Sequence, residues 1–571
     1  MPHALKTAIS PSVSLATAVD RHLKAAPLKT PLDTLLAYHQ RTKHHLQRYA
    51  AGPEGLDWKN QPDPFRHFAG CPQQELPLLA ETSGPRYVDL YSPDKVAPHT
   101  LTLNNIAALL ELSLGLSAWK QHGDQRWALR CNPSSGNLHP TEAYVVVENI
   151  GDIEDGVHHY VSRDHVLEQR CRFDMTAAGG VGLLPADACL VGLSSIPWRE
   201  AWKYGERAYR YCQHDVGHAI AAVRYAAATL GWQVRVLTSW RDADISTLLG
   251  LDRDTDFHAA EPEHPDLMLL ITTQRSETTA GTWTNSALVR AAETGRWQGR
   301  ANVLSQHHGH TWPVIDEAAL ACAKPKTTEL PWQGPAYPAP VRCDCGQSAR
   351  DIIRQRRSAQ AFDGITPLPA DTFYRMLDMT LPRRGLPPWD TIAWSARVHL
   401  AIFVHRVDDL TPGLYLLLRN PLSEEKLRSA LSADFEWGRV EGCPAHLPLF
   451  RLVTADARNA ARTLSCHQDI AADGAFSLGM LADYATNLSG APWVYRQLFW
   501  ETGILGQVLY LEAEAAGVRG TGIGCYFDDV VHEVLGITGE TLQSLYHFTV
   551  GAALADIRLQ TLPAYAHLER T

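Results

Sequence analysis

A chain of 571 residues is too long for one ordinary hydrophobic core, so two or more domains are expected. Apolar residues at 45% and charged residues at 20% give a globular profile and exclude a largely disordered chain. Lys plus Arg (52) against Asp plus Glu (62) leaves a formal charge of −10, which argues against a duplex nucleic-acid surface but permits a local basic pocket.

The N-terminal stretch MPHALKTAISPSVSLATAVDRH is broken by Ser, Thr and Pro and lacks a clean signal-peptide core. No apolar run approaches the roughly 18 residues of a membrane span, so none is expected. Eleven cysteines, an odd number without a CxxC pair, read as reduced thiols of a cytoplasmic protein. Cys343 and Cys345 are too close in sequence for an ordinary disulfide or zinc site and carry no expected function.

Residues 1–83 read as a helical and turn-rich leader. It contains the His-rich helical segment YHQRTKHHLQRY (38–49) and then DWKNQPDPFRHF (57–68), where Pro62 and Pro64 forbid continued helix. A first globular unit is expected over 84–295, a linker rich in Pro, His and Trp over 296–346, and a second unit over 347–571. Within the linker, His307, His308 and His310 lack a carboxylate or Cys at convincing zinc-ligand spacing.

In the first unit, RCNPSSGNLHPTEAYVVVEN (130–149) is a turn running into an apolar strand, Ala143–Val147. Its small, hydroxylic and amide side chains let backbone approach and hydrogen-bond a flat heteroaromatic edge. WREAWKYGERAYRY (198–211) gathers Lys203, Tyr204, Arg207 and Arg210 on a helix-like stretch. In the second unit, RQRRSAQAFDGITPLP (354–369) precedes a helix beginning near Ala370. Arg356, Arg357 and Ser358 form the cationic and hydroxylic cluster that a phosphate requires. LYHFTVGAALADIRLQTLPAY (545–565) adds Arg558 after an apolar strand. No Gly-rich dinucleotide motif follows a strand, so a nicotinamide would bind only transiently.

An internal repeat organises these pieces. Tyr209–Gly250 aligns with Tyr495–Gly536 at a constant offset of 286. Tyr209/Tyr495, Arg210/Arg496, Gly217/Gly503, Gly231/Gly517, Asp242/Asp528, Leu249/Leu535 and Gly250/Gly536 all coincide. Each copy predicts a buried helix ended by a left-handed Gly231 or Gly517 and followed by a short strand. The two helices are expected to pack on each other across a pseudo-twofold axis.

Together PSSGNLHPTEAYVV (133–146), WKYGERAYRY (202–211), RRSAQAFDG (356–364) and GVRGTGIGCYFDD (517–529) resemble the nitroreductase superfamily. Within it the likeness is to the SagB-type dehydrogenases, which include azoline oxidases of peptide natural-product pathways. The resemblance covers roughly 84–571 and implies an α+β fold of two nitroreductase-like α/β/α halves, fused as a pseudo-dimer around FMN. It implies phosphate binding by Arg356, Arg357 and Ser358, with Arg558 nearby, and contact with the flavin ring by Pro133, Ser134, Ser135 and Asn137. Backbone at Gly524 and Cys525 would face flavin N5, and Lys203 with Tyr204 would handle a substrate proton.

Gln360 stands where the family often has Lys or Arg beside flavin N1 and O2, which predicts a lower reduction potential unless Arg130 or Lys203 substitutes. The first half has the turn but not the Arg-Arg-Ser segment, and the second half the reverse. One complete site is therefore expected, made from opposite halves. The implied activity is FMN-dependent hydride transfer between a donor, NAD(P)H among the candidates, and a small-molecule or modified-peptide acceptor. A degenerate fold used for binding or scaffolding is the alternative.

Overall fold

The computed structural model describes residues 29–80, 84–92, 94–174, 182–273, 285–328, 334–341 and 345–568. Cys343 of the closely spaced cysteine pair lies outside the described residues.

Two antiparallel sheets dominate. The first is built on β1 (Thr141–Val147), β2 (Gly156–Val161), β3 (Val166–Arg172), β4 (Ala188–Ser195), β5 (Gln233–Val236) and β6 (His264–Thr272). The second is built on β7 (Val398–Val404), β8 (Gly413–Leu417), β9 (Leu449–Thr454), β10 (Phe476–Asp483), β11 (Arg519–Ile523) and β12 (Leu542–Gly551). Their orders are β3-β2-β1-β4-β6-β5 and β9-β8-β7-β10-β12-β11, the same path strand for strand. The inner strands β1 and β7 are buried at every position, because helices or chain segments cover both faces. That explains their continuous apolar runs, where a half-exposed strand would alternate.

Six helices frame the site: α1 (Pro31–Arg41), α2 (Pro197–Tyr204), α3 (Ala208–Ala228), α4 (Asp242–Leu249), α5 (Val494–Ala515) and α6 (Asp528–Leu535). The repeat helices α3 and α5 are buried along almost their whole length and pack on each other. Their backbones meet at two glycines. A Cβ built on Gly217 would fall 2.2 Å from the Trp500 carbonyl oxygen, and one on Gly503 would fall 2.2 Å from the His214 carbonyl oxygen. Gly231 and Gly517 follow the helices at φ +70° and +72°, the left-handed geometry the repeat predicts.

The same repeat explains its charged positions. Arg210 on α3 pairs with Asp528 of α6 at 2.7 Å, and Arg496 on α5 pairs with Asp242 of α4 at 2.7 Å. Each ion pair joins one unit to the other, and the two are reciprocal.

Segments outside the repeat build into both units. Helix α1 carries a capping box at Thr30 and Asp33 and buries Leu35, Tyr38 and His39. His39 contacts the Tyr495 hydroxyl and Gln543 at 3.2 Å each. The segment Gln73–Glu75 pairs with β3, so the expected boundary at residue 83 is crossed by sheet hydrogen bonds. Arg296–Trp297 from the linker pairs with the same strand. Near the C-terminus, Gln560–Leu562 crosses back to pair with Leu116–His122 of the first unit. In the linker, His308 contacts Glu261 at 2.9 Å and stacks on Trp198, and among the described residues no group of three or more potential ligands could hold a metal.

If the glycine contact sets the helix spacing, Gly217→Ala should destabilise the protein by about 1–3 kcal/mol through overpacking. The thermal midpoint should fall by several degrees, while Gly55→Ala, at a glycine with nothing within 4 Å, should leave it unchanged. Equal midpoints for the two variants would contradict the close-approach argument.

Candidate functional site

A cavity of about 880 Å³ is lined by residues from both the earlier and the later part of the chain, from Lys120 to Thr561. Of the sequence-predicted residues, Pro133, Ser134, Ser135, Asn137, Tyr204, Arg356, Arg357, Ser358, Gln360, Gly524 and Cys525 all line it. Residues far apart in sequence thus line one cavity.

At one end the cations gather. Arg356 is buried, and its guanidinium donates to the carbonyls of Cys131 (3.2 Å) and Arg130 (3.1 Å) while lying 5.0 Å from the Tyr510 ring centre. Arg357 donates to the Ser117 carbonyl at 3.1 Å. Ser358 Oγ is 2.8 Å from the Tyr510 hydroxyl, which accepts a 2.9 Å hydrogen bond from the Gly522 amide. Burial lowers the Arg356 pKa, and burial with the neighbouring Arg356 and Arg519 brings Arg357 down to about 10. Lys120 is lowered by burial and then by Arg357 and Arg519. Glu514, 3.8 Å from Arg519, is a loose counter-ion to this cluster. Such mutual repulsion is relieved by an anion of more than one charge.

Arg558 does not join them. Its side chain is 75% exposed and pairs with Asp556 at 2.7 Å, two residues earlier. The nearby carboxylate captures it on the surface, and Arg519 and Lys120 line the cavity instead.

The Pro133–Asn137 turn, also on the lining, closes with Gly136 and Asn137 at φ +61° and +60°. The Asn137 amide donates to the Ala128 carbonyl at 2.9 Å, and the Ser134 hydroxyl accepts from the His139 amide at 2.8 Å. The Ser135 amide and hydroxyl both donate to the Asp215 carboxyl, at 3.1 and 3.2 Å. Lys203 and Tyr204 back the turn: a Cβ on Gly136 would fall 2.6 Å from the Tyr204 hydroxyl and 3.2 Å from Lys203 Nζ. The Tyr204 and Tyr211 rings are 4.5 Å apart, and the Tyr211 hydroxyl donates to the Gly524 carbonyl at 3.1 Å. Burial, with Glu200 adding, pushes the Tyr204 phenol well above its usual value.

Asp215, Tyr510, Arg519 and Lys120 are site residues that sequence reasoning missed. Asp215 left a signal, since a lone acid inside an apolar helix recurs as Glu501 at the same offset of 286. The two positions differ in what surrounds them. Glu501 pairs with buried Arg419 and accepts from the Arg397 amide at 3.1 Å. Asp215 faces the cavity with no cationic partner among the described residues, and burial pushes its carboxyl up to about 7. Behind it, Glu200 is fully buried, with both carboxyl oxygens unpartnered among the described residues and its pKa raised well above the usual value by burial and then by Asp215.

Residues 96–260 match the Nitroreductase family. Two curated relatives match part of the chain. A nitroreductase-named protein of Methanocaldococcus jannaschii is 26% identical over 154 residues, which covers 26% of this chain and 74% of that protein. The trifolitoxin-processing protein TfxB of Rhizobium leguminosarum bv. trifolii is 31% identical over 166 residues, covering 27% of this chain and 42% of TfxB. A crystal structure of a nitroreductase-named protein from Anabaena variabilis superposes with a TM-score of 0.64 at 22% identity, over 91% of this chain and 99% of that one. The fold is accordingly the α+β nitroreductase fold. Among the described residues, no helix is long and apolar enough to cross a membrane.

Asp215 makes a pH prediction. Its folded pKa of about 7 lies above its ordinary 3.8, so between those values the folded chain holds a proton the unfolded chain has lost. The carboxyl's contribution to stability therefore falls as pH rises through this window and is flat above it. The stability of Asp215→Asn relative to wild type should rise between about pH 4 and 7 and then level off. A difference in unfolding midpoint that does not change with pH would contradict the shifted carboxyl.

Proposed function

We propose that this chain is an FMN-dependent oxidoreductase with a single flavin bound between two fused nitroreductase-like units, 84–295 and 347–571. The observation that carries this reading is the convergence of the Pro133–Asn137 turn and the Arg356–Ser358 segment, from opposite units, on one cavity. The residues present fit the cofactor. The cluster of Arg356, Arg357, Arg519 and Lys120 suits a phosphate dianion. Around the turn, Arg130 Nε, Asn132 Oδ1 and His139 Nδ1 are buried without partners among the described residues, polar atoms suited to a heteroaromatic edge.

When bound, FMN supplies the hydride chemistry, and the protein positions it and sets its electronics. In this reading Arg356 and Arg357 hold the phosphate while Ser358 and Tyr510 fix its orientation. Gln360 brings no charge to the ring, and Arg130, whose pKa burial lowers to about 10, is the nearest candidate to replace the missing cation. The Tyr204 phenol stays protonated, so it donates a proton to substrate rather than accepting one. Buried Asp215 and Glu200, whose carboxyls burial raises, form the reservoir from which it is replenished. A donor such as NAD(P)H and an acceptor would use the same open space in turn.

Similarity to a trifolitoxin-processing protein, together with the Lys203-Tyr204 pair, favours a modified peptide as substrate over an unrelated small molecule. Loss of a second, pseudo-symmetric site is the simplest account of the unequal units. The position equivalent to Tyr510 there is Arg224, which is paired with Asp390 at 2.7 Å. That loss also keeps a binding or scaffolding role open as the second reading.

Two classes of variant separate binding from chemistry. Arg356→Ala should weaken FMN binding by about one to two decades, since charge-assisted hydrogen bonds contribute roughly 1.5–3 kcal/mol. Lys203→Ala and Tyr204→Phe should keep their flavin yet turn over about 10²–10⁴-fold more slowly with the true substrate. Flavin titration and steady-state rates check both. Unchanged flavin affinity in the first, or wild-type turnover in the others, would overturn the assignments.

A further inference from the structure

Cys525 lines the cavity just after β11, and its surroundings differ from those of the other cysteines. Cys131, Cys189 and Cys322 are buried, and burial pushes their thiols up to about 11, 12 and 12. The Cys525 thiol is instead held below its usual value, first by a hydrogen bond from the Cys466 thiol, then by His44 and Arg207.

The fold sets the segments that carry these groups side by side. The Ala50 amide donates to His44 Nδ1 at 2.9 Å, so a neutral His44 ring carries its proton on Nε2, the nitrogen left to donate to the Cys525 sulfur. Burial and the Arg207 charge keep that ring neutral. His44 is fixed by a two-way backbone contact: its amide donates to the Asp528 carboxylate at 2.9 Å, and its carbonyl accepts from the Asp528 amide at 3.2 Å. Arg207 donates to the Gly524 carbonyl at 3.2 Å.

Cys466 is held opposite by a turn in which it and His467 adopt left-handed φ of +53° and +59°. The Phe527 amide donates to the Leu464 carbonyl at 2.9 Å. The Gln468 side chain donates to the carbonyls of Ser465 (2.8 Å) and Cys525 (3.2 Å), tying the two cysteine segments together. Both cysteines are only partly buried.

We propose that Cys525, on the cavity wall, and Cys466 on the adjoining turn form a redox-active dithiol that reduces hydroperoxides. The Cys525 thiolate attacks the distal peroxide oxygen, an S–O bond forms, the O–O bond breaks, and the leaving alkoxide or hydroxide takes a proton. The Cys466 sulfur, having given up its proton, then attacks the sulfenic sulfur. An S–S bond forms, the S–O bond breaks, and hydroxide leaves as water. In sum two thiols are oxidised to a disulfide and one hydroperoxide is reduced to an alcohol, or to water, plus water. His44 donates to the Cys525 sulfur throughout as a positioning residue.

The test is covalent and does not depend on flavin occupancy, so it fails separately from the flavin reading. The reduced full-length protein is treated with a small excess of hydrogen peroxide, alkylated and mapped without reduction. A Cys466–Cys525 disulfide should be the major oxidised product, formed at least about tenfold faster than oxidation of any other cysteine and reversed by dithiothreitol. In Cys466→Ser, the same treatment should leave Cys525 as a sulfenic acid trapped by dimedone. Oxidation spread evenly over other cysteines in the wild type, or no dimedone adduct on Cys525 in the variant, would overturn the proposal. The wild-type map stands alone if the variant does not fold.

Discussion

The close approach of α3 and α5 at Gly217 and Gly503 is the constraint on which the rest depends. With no Cβ at either position the helix backbones touch, and every other contact between the units takes its spacing from that point. The reciprocal pairs Arg210–Asp528 and Arg496–Asp242 bracket it. All four side chains are largely buried, so sliding one helix past the other would strand charges at a cost of about 3–5 kcal/mol for each broken pair. The register fixed in this way brings the Pro133–Asn137 turn of one unit opposite Arg356 of the other.

Within that symmetric frame the two sides have diverged. Equivalent positions on the repeat helices carry Asp215 and Glu501, Tyr510 and Arg224, His218 and Ile504. On one side the polar member opens on the cavity. On the other it is neutralised in place, Glu501 by Arg419 and Arg224 by Asp390. A buried acid paired with arginine is structural, while the same acid without a cation has a raised pKa and a proton to exchange near neutral pH. The segments that break the symmetry also serve the cavity: residues 29–80 bring His44 to Cys525, and Gln560–Leu562 covers the hairpin that carries Lys120.

Much of this was legible in the sequence because it rests on local or repeated patterns. The offset of 286 exposed the paired helices, their terminating glycines and the charged residues that join the units. The turn at 133–137 and the Arg356–Ser358 cluster stood out as composite motifs, and both line the cavity. What escaped depends on tertiary placement. Arg519 and Lys120 are ordinary letters on strands until folding brings them beside Arg357. Arg558 looked equivalent to them, but Asp556 two residues away binds it first. Asp215 was hidden in an apolar run, and only the absence of a cation beside it distinguishes it from Glu501. Residues 296–346 looked like a free connector because short strands such as Arg296–Trp297 leave little periodicity to read.

The central claim is that two pseudo-symmetric units build one flavin site and not two. The most direct measurement is the ratio of bound flavin to polypeptide after saturation with FMN and removal of excess, with the released flavin quantified by absorbance. The account predicts one FMN per chain. A ratio near two would mean that the second side retains a working site despite the Glu501–Arg419 and Arg224–Asp390 pairs, and a ratio near zero would mean that the cavity does not hold flavin; either result would contradict it.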